Sequence, residues 1–168
     1  MKKRREVRLD SAVDKLYVVE KFVEEISDEF YLNDNYYGNI LIALTEAYRN
    51  AVIHGNRSDR NKTVELSLET GADGLRFEVS DQGEGFDFAS FTDREKLLYQ
   101  PELKGKGILM ILSLADEVEF KNGGKTVSML FRIHGIDENI VERRSGLMKE
   151  YYGTGVKVKK EDDAEEYQ

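Results

Sequence analysis

The chain has no cysteine, and among its 168 residues there is a single proline, Pro101. Without cysteine there can be no disulfide, no thiolate metal site and no cysteine nucleophile. Long apolar runs are missing too. The run from Ile108 to Leu112, which no other apolar run exceeds, falls far short of the roughly 20 residues that cross a bilayer. The sequence therefore predicts neither a disulfide-stabilised fold nor a membrane association.

Positive charge is in deficit. The chain carries 33 acidic and 25 basic residues, for a formal net charge of −8. Phosphate backbones demand a concentrated positive face, so direct binding of nucleic acid is disfavoured and neutral or basic protein partners fit better. The basic start Met1 to Arg5 is followed by Glu6 to Asp10, where an export signal would need an apolar stretch. We therefore expect a soluble, cytoplasmic protein.

The length and the 40% apolar content suit one ordinary domain better than two. We expect residues 1–136 to form this domain around a single core. From Asp137 onward the apolar periodicity fades, and Glu161 to Gln168 carry five carboxylates and no basic group. Residues 137–168 are therefore predicted to be a charged extension that is partly disordered.

The periodic patterns along the chain predict an α+β fold: a two-layer sandwich with a mixed, mostly antiparallel sheet and three main helices on one face. The predicted order is a short strand, two helices, a hairpin, a polar segment, an apolar helix and a final hairpin. Their positions are 6–9, 11–31, 34–54, 64–79, 85–106, 108–115 and 118–133. Asn33 or Asp34 can cap the second helix, Gly55-Asn56 can supply a left-handed stop, and the polar segment is interpreted as a lid.

Glu46 and Asn50 lie four residues apart on the second predicted helix. At about 100° per residue their side chains point within about 40° of each other, beside the apolar stripe of that helix. An amide oxygen is a hard ligand that suits magnesium, and a carboxylate beside it can accept a proton. An isolated pair of this kind is more typical of two ordinary solvent-facing helix residues, so the pair alone does not indicate a site.

Asp81 follows the predicted strand in which Leu75, Phe77 and Val79 face the core. Strand alternation therefore turns Asp81 inward, where a buried carboxylate needs a partner such as the exocyclic amine of adenine. Gly83 and Gly85 allow the backbone to turn sharply and approach a ligand. A polar turn after a strand is the alternative.

Gly105 and Gly107 precede the apolar helix that starts at Ile108. Free backbone amides at a helix N-terminus bind phosphate, and Lys104 and Lys106 would add positive charge. Both lysines could equally be solvated, and a glycine pair before a helix is common.

In this order, the three segments resemble the ATP-binding fold shared by histidine-kinase catalytic domains, type II topoisomerases, Hsp90 and MutL, known as the Bergerat or GHKL fold. The segment Ala43 to Gly55, with the sequence ALTEAYRNAVIHG, is most similar to bacterial anti-sigma-factor serine/threonine kinases. The resemblance covers about residues 5–134. Ile108-Leu109 departs from relatives that have another glycine there, which leaves the lid geometry open.

The resemblance implies a role for each matching residue. Glu46 would be the catalytic base, Asn50 would hold Mg²⁺ and bind the cofactor, and Asp81 would bind the adenine amine of ATP. The other residues implied in nucleotide binding are Gly83, Gly85, Gly105, Gly107 and Thr126, the last through a hydroxyl near the adenine. Lys104 and Lys106 remain candidates for phosphate contacts on the basis of their charge alone. His54 is interpreted as structural.

Two functions remain open at this stage. In the first, the protein is an anti-sigma factor that sequesters a sigma factor and phosphorylates an anti-sigma-factor antagonist protein; the resemblance also implies a homodimer. In the second, it is a non-catalytic ATP-dependent regulator that switches partners. A free-standing histidine kinase would need an acceptor histidine on an upstream helix, and residues 11–31 contain none.

Overall fold

The structure, a computed structural model, describes residues 3–86 and 103–133. Within these ranges the chain forms five strands and three α-helices. They are β1 (Arg4–Asp10), α1 (Leu16–Phe30), α2 (Asp34–Asn50), β2 (Thr63–Gly71), β3 (Gly74–Ser80), α3 (Leu103–Leu114), β4 (Glu117–Lys121) and β5 (Thr126–Arg132). Most of the predicted lid and the predicted C-terminal extension lie outside the described residues.

The five strands form one sheet in the order β1-β2-β3-β5-β4, and each of its four pairings is antiparallel. The last strand is inserted between β3 and β4, so Ser80 at the end of β3 lies opposite Thr126 at the start of β5. This crossover brings the segment after β3 next to the turn before β5. The candidate site forms at this junction.

Local sequence explains where the first two helices begin and end. The side chain of Asn33 accepts a hydrogen bond of 3.0 Å from the backbone N–H of Tyr36 and caps α2, as predicted. Tyr31, in the left-handed conformation at φ 52°, ends α1. The first helix was predicted to start at residue 11, but Ser11 does not open α1. Its N–H donates to the carbonyl of Lys62, a contact that continues the pairing of β1 with β2, and α1 starts at Leu16.

The end of α2 also differs from the prediction. A π-helical turn, Ala51–Gly55, continues the helix and buries Ala51 and Val52. The left-handed residues that follow are Arg57 (φ 52°) and Ser58 (φ 58°), whereas Asn56 keeps a right-handed φ of −83°. Gly55 is therefore not needed for a left-handed stop. Its lack of a side chain instead allows the Asp81 side chain to pack against it.

The core lies between the helices and one face of the sheet. Alternate residues of the central strands, among them Leu66, Phe77 and Met129, are fully buried there. Phe77 makes edge-to-face contacts with Phe22 of α1 at 6.4 Å and with Phe131 of β5 at 6.0 Å between ring centroids. The predicted two-layer α+β fold is confirmed.

Among the described residues, no helix has both the length and the apolar composition that a membrane crossing requires.

Candidate nucleotide site

A cleft of 420 Å³ opens between the end of α2, the start of α3 and the edges of β3 and β5. Its volume lies within the range of roughly 300–1,000 Å³ that is typical of small-molecule sites. Its walls combine apolar residues with a few polar groups. They are Ala47, Asn50, Ala51, Ile53, His54, Gly55, Arg57, Val79, Asp81, Gly85, Phe86, Ile108, Ile111, Phe120, Gly124, Lys125 and Val127.

One end of the cleft is formed where α3 packs on α2. A Cβ atom added to Gly107 of α3 would lie 3.0 Å from Oε2 of Glu46 and 3.3 Å from both amide atoms of Asn50. The two polar side chains of α2 therefore point together at the backbone of Gly107, and each is partly exposed. Only glycine leaves this space open, because a Cβ would require the two side chains to shift. The structure therefore places the Glu46–Asn50 pair next to a glycine of the third segment.

The other end is formed by the turn after β3, which holds Asp81. The N–H of Gly83 donates a 2.8 Å hydrogen bond to Oδ1 of Asp81, and the N–H of Asp81 donates to the carbonyl of Lys125 at 2.9 Å. The carboxylate packs against the Cα of Gly55, where any Cβ would collide with it. Burial raises the pKa of Asp81, while the Gly83 N–H and the charges of Lys125 and Lys62 oppose that rise.

Two backbone segments pair to build the wall beside Asp81. The N–H of Phe86 donates to the carbonyl of Gly123 at 3.1 Å, and the rings of Phe86 and Phe120 meet edge to face at 5.4 Å. Gly85 (φ 83°) and Gly124 (φ 94°) adopt backbone conformations that disfavour a side chain. In addition, a Cβ on either glycine would collide with the opposite segment. Both glycines are thus required by the wall itself.

Comparison with known proteins identifies the family. A family model described as a histidine kinase-like ATPase domain matches residues 9–131, well over half of the chain. The chain belongs to the histidine kinase-like ATPase family. Parts of the three segments of this ATPase domain, among them Asn50, Asp81 and Gly85, line one cleft.

Curated relatives of this ATPase domain carry the name serine-protein kinase RsbW. The protein from Staphylococcus epidermidis is 35% identical over 98 residues, which cover 53% of this chain and 61% of the relative. The protein from Bacillus licheniformis is 38% identical over 103 residues, with 54% and 62% covered. For Bacillus subtilis the values are 31% over 105 residues, with 58% and 65% covered. The resemblance to bacterial serine kinases is confirmed, and the chain spans less than two thirds of the length of these relatives.

The structure corrects the predicted position of the second glycine pair. Helix α3 begins at Leu103, so Gly105 and Gly107 lie inside its first turns and do not precede it. Lys106 is exposed. Lys104 and Gly105 belong to the same first turn. The surroundings of the Lys104 side chain are outside the described part of the structure. The free amides of a helix N-terminus would therefore come from residues 103–106.

Thr126 is not brought together with the other predicted residues. Its hydroxyl lies 2.8 Å from that of Ser80 and accepts a hydrogen bond of 3.1 Å from the side chain of Asn122. Thr126 is 4% exposed and is not among the residues that line the cleft, whereas its neighbours Lys125 and Val127 are. Strand alternation explains this, because Thr126 and Ser80 point to the face opposite the one that carries Val79 and Val127.

Several lining residues were not singled out from the sequence. Phe86, Phe120 and Gly124 depend on the pairing of two loops that are far apart in the chain, which no local pattern encodes. Lys125 alternates with Thr126 at the start of β5, so strand parity could have indicated it. His54, interpreted as structural, lies in the wall of the cleft next to Gly55.

The polar and apolar groups around the cleft suit the binding of a nucleotide together with a divalent cation. Asp81 offers a half-buried acceptor for an amine, the apolar walls suit a flat base, and Gly107 leaves a space bordered by a carboxylate and an amide. Residues 3–86 and 103–133 contain no cluster of three or more His, Asp or Glu side chains placed to bind a metal alone. Magnesium in nucleotide sites commonly uses one or two protein oxygens plus phosphates and water, and the amide oxygen of Asn50 is of a kind that could serve as one of them.

Proposed function

We propose that this ATPase domain is an ATP-dependent serine/threonine protein kinase that acts as an anti-sigma factor. It would phosphorylate a protein antagonist in a partner-switching system and sequester a sigma factor when that antagonist is unavailable. The proposal is supported by the family, by relatives named serine-protein kinase and by one geometric observation. Glu46 and Asn50 point together at the Gly107 backbone beside a cleft of nucleotide size.

Asp81 and Asn50 would divide the binding of the substrate ATP. At the base end, the Asp81 carboxylate would accept a hydrogen bond from the adenine amine, and the apolar walls would contact the ring faces. At the phosphate end, Asn50 would hold Mg²⁺ through its amide oxygen. The ion, when bound, neutralises phosphate charge and positions the terminal phosphoryl group.

Glu46 would supply the acid–base chemistry. Its carboxylate would accept the proton of the attacking serine or threonine hydroxyl, which makes that oxygen a better nucleophile. The N-terminal amides of α3 would donate hydrogen bonds to phosphate oxygens, aided by Lys106 and Lys104.

A second candidate is a regulator of the same fold that binds ATP and switches partners without transferring phosphate. It is favoured by the position of Glu46, which is not among the residues lining the cleft although its neighbour Asn50 is. The resemblance to ATP-hydrolysing relatives, which also carry a glutamate at this place, does not by itself decide between the two. The two candidates therefore make different predictions for phosphoryl transfer and the same prediction for nucleotide binding.

The decisive experiment mixes the purified chain, Mg²⁺ and terminally labelled ATP with candidate antagonists taken from neighbouring genes. Label on a serine or threonine of an antagonist, lost with Glu46→Ala and with Asn50→Ala, supports the kinase. Nucleotide binding without label on any protein supports the switching regulator. If calorimetry detects no binding of adenine nucleotide, both candidates are wrong.

The remaining partner assignments need separate tests. Co-purification with a sigma factor, and its release by unphosphorylated antagonist, would support the anti-sigma role. Light scattering of the native chain tests the homodimer that the resemblance implies. The formal charge of −8 is in line with protein partners and disfavours direct binding of nucleic acid. A cytoplasmic location is part of the proposal.

A further inference from the structure

Asn56, directly after the π-helical turn that ends α2, is completely buried and uses all the hydrogen-bonding groups of its side chain. Its Nδ2 donates to the hydroxyl of Ser11 and to the carbonyl of Thr63, both at 3.0 Å. Its Oδ1 accepts a hydrogen bond of 2.8 Å from the N–H of Gln82. A buried amide that is fully satisfied fixes the three segments it joins.

The segment reached by Oδ1 is the turn that holds Asp81. Gln82 stands between Asp81 and Gly83, and its own side-chain oxygen accepts a 2.8 Å hydrogen bond from the N–H of Thr63. Gly83 packs so closely on the carbonyl of Gly55 that a Cβ there would collide with it. The end of α2 and the turn after β3 are thus joined by two glycine contacts and one hydrogen bond that the Gln82 N–H donates to a buried side chain.

We propose that Asn56 is a positioning residue for base selection: it holds the turn Asp81–Gly83 against the end of α2, so that the Asp81 carboxylate faces the cleft before a nucleotide binds. The inference rests on the proposed function, in which Asp81 accepts from the 6-amino group of adenine. A carboxylate fixed in advance discriminates an amine from a carbonyl oxygen, whereas a loose turn would rotate to accommodate either group.

The test compares ATP with inosine triphosphate, which has an oxygen in place of the 6-amino group. Dissociation constants are measured by calorimetry with Mg²⁺ for the native chain, for Asn56→Ala and for the matched control Ser11→Ala. The control removes one hydrogen bond of the same buried network but keeps the bond from Gln82 to Asn56. Both variants should lose stability, since each leaves a buried polar group without its partner.

We expect the native chain to prefer ATP by about tenfold or more, since the competing nucleotide presents a carbonyl oxygen to the carboxylate where adenine presents an amine donor. Asn56→Ala should reduce this preference to about twofold, and Ser11→Ala should retain it. A purely structural role would lower the affinity for both nucleotides by the same factor and keep their ratio, which would overturn the proposal. If the native chain binds neither nucleotide, the kinase proposal is wrong as well.

A measurement on the native chain covers the case in which Asn56→Ala does not fold. Hydrogen exchange followed by NMR reports the protection of the Gln82 amide in the nucleotide-free protein. A turn held in advance by Asn56 requires strong protection that changes little when ATP is added. Exchange at the rate of an unstructured turn, followed by protection only with ATP, would show that the nucleotide orders the turn and that Asn56 does not.

Discussion

The two ends of the cleft are built in different ways. At the proposed base end, the Gly83 N–H donates to the Asp81 carboxylate within the turn, the Gln82 N–H donates to the Asn56 side chain, and the Asp81 N–H donates to the carbonyl of Lys125. At the phosphate end, Glu46 and Asn50 approach Gly107 by close packing of two helices. Within the described residues, neither of those two side chains makes a hydrogen bond or an ion pair.

We expect this difference to separate nucleotide affinity from the rate of phosphoryl transfer. The base end is ordered by the fold, so a change there should alter stability together with nucleotide selection. The two polar side chains at the proposed phosphate end are partly exposed and bond to no other described residue, so a change there should alter catalysis with little effect on folding. The following substitutions test this separation.

Glu46→Gln should have the largest effect. It keeps the shape of the side chain and removes the proton acceptor, so phosphoryl transfer should fall by about 10²-fold or more. The affinity for ATP should change by less than about threefold, and the thermal midpoint should hardly move, because the side chain is partly exposed. Single-turnover transfer and calorimetry measure the two quantities. The exposed Glu25→Gln on α1 is the control, and transfer at the native rate in Glu46→Gln would contradict the role of the carboxylate.

Asp81→Asn should weaken ATP binding by about tenfold, because the ionised acceptor is lost while the shape remains. Stability at neutral pH should not fall. Burial raises the pKa of Asp81 above its ordinary value of 3.8, so the folded, nucleotide-free protein holds this proton more tightly than the unfolded chain does. An unchanged affinity for ATP would exclude Asp81 from base recognition.

The pH dependence of stability sharpens the same comparison. The Asp81 contribution to the free energy of unfolding should decrease as the pH rises from 3.8 through the raised pKa, and should be constant above it. Urea unfolding of the native chain and of Asp81→Asn across this range isolates the contribution as a difference. A difference that does not vary with pH would show that burial does not disfavour the carboxylate.

Gly107→Ala should lower phosphoryl transfer by about fivefold, since the new methyl group would displace Glu46 and Asn50. Stability should rise slightly, because alanine favours a helix over glycine by about 1 kcal/mol. Gly38→Ala in α2 is the matched control, since a Cβ there has no atom within 4 Å among those described. It should raise stability and leave transfer unchanged. Equal transfer in both variants would show that the space beside Gly107 is not used.

Thr126→Val should have the smallest effect on the nucleotide. It removes a buried hydroxyl that bonds with Ser80 and Asn122, so the free energy of unfolding should fall by about 1 kcal/mol. The affinity for ATP should change by less than about twofold, because the hydroxyl lies outside the cleft wall. Chemical denaturation and calorimetry measure the two effects. A tenfold loss of affinity would restore the adenine contact that the resemblance implied.

Most of the fold could be predicted from local patterns. The alternation of Leu75, Phe77 and Val79 correctly indicated an inward-facing Asp81, and helical spacing correctly placed Glu46 beside Asn50. The errors occur where a distant segment competes with a local signal. Ser11 is a residue type that often caps helices, but here it extends the pairing of β1 with β2. Gly55 does not provide a left-handed helix end; it is required because a side chain there would collide with Asp81.

The sequence by itself determined the order of the elements, the charge balance and the chemical groups available at each helix and strand end. Those properties follow from neighbours a few residues apart, through side-chain periodicity and capping. Only the tertiary structure decided that Asn56 and Gly55 secure the Asp81 turn, that Phe86 pairs with Gly123, and that Thr126 faces away from the cleft. These contacts depend on inserting β5 between β3 and β4, and strand order and register are fixed by packing of the whole core.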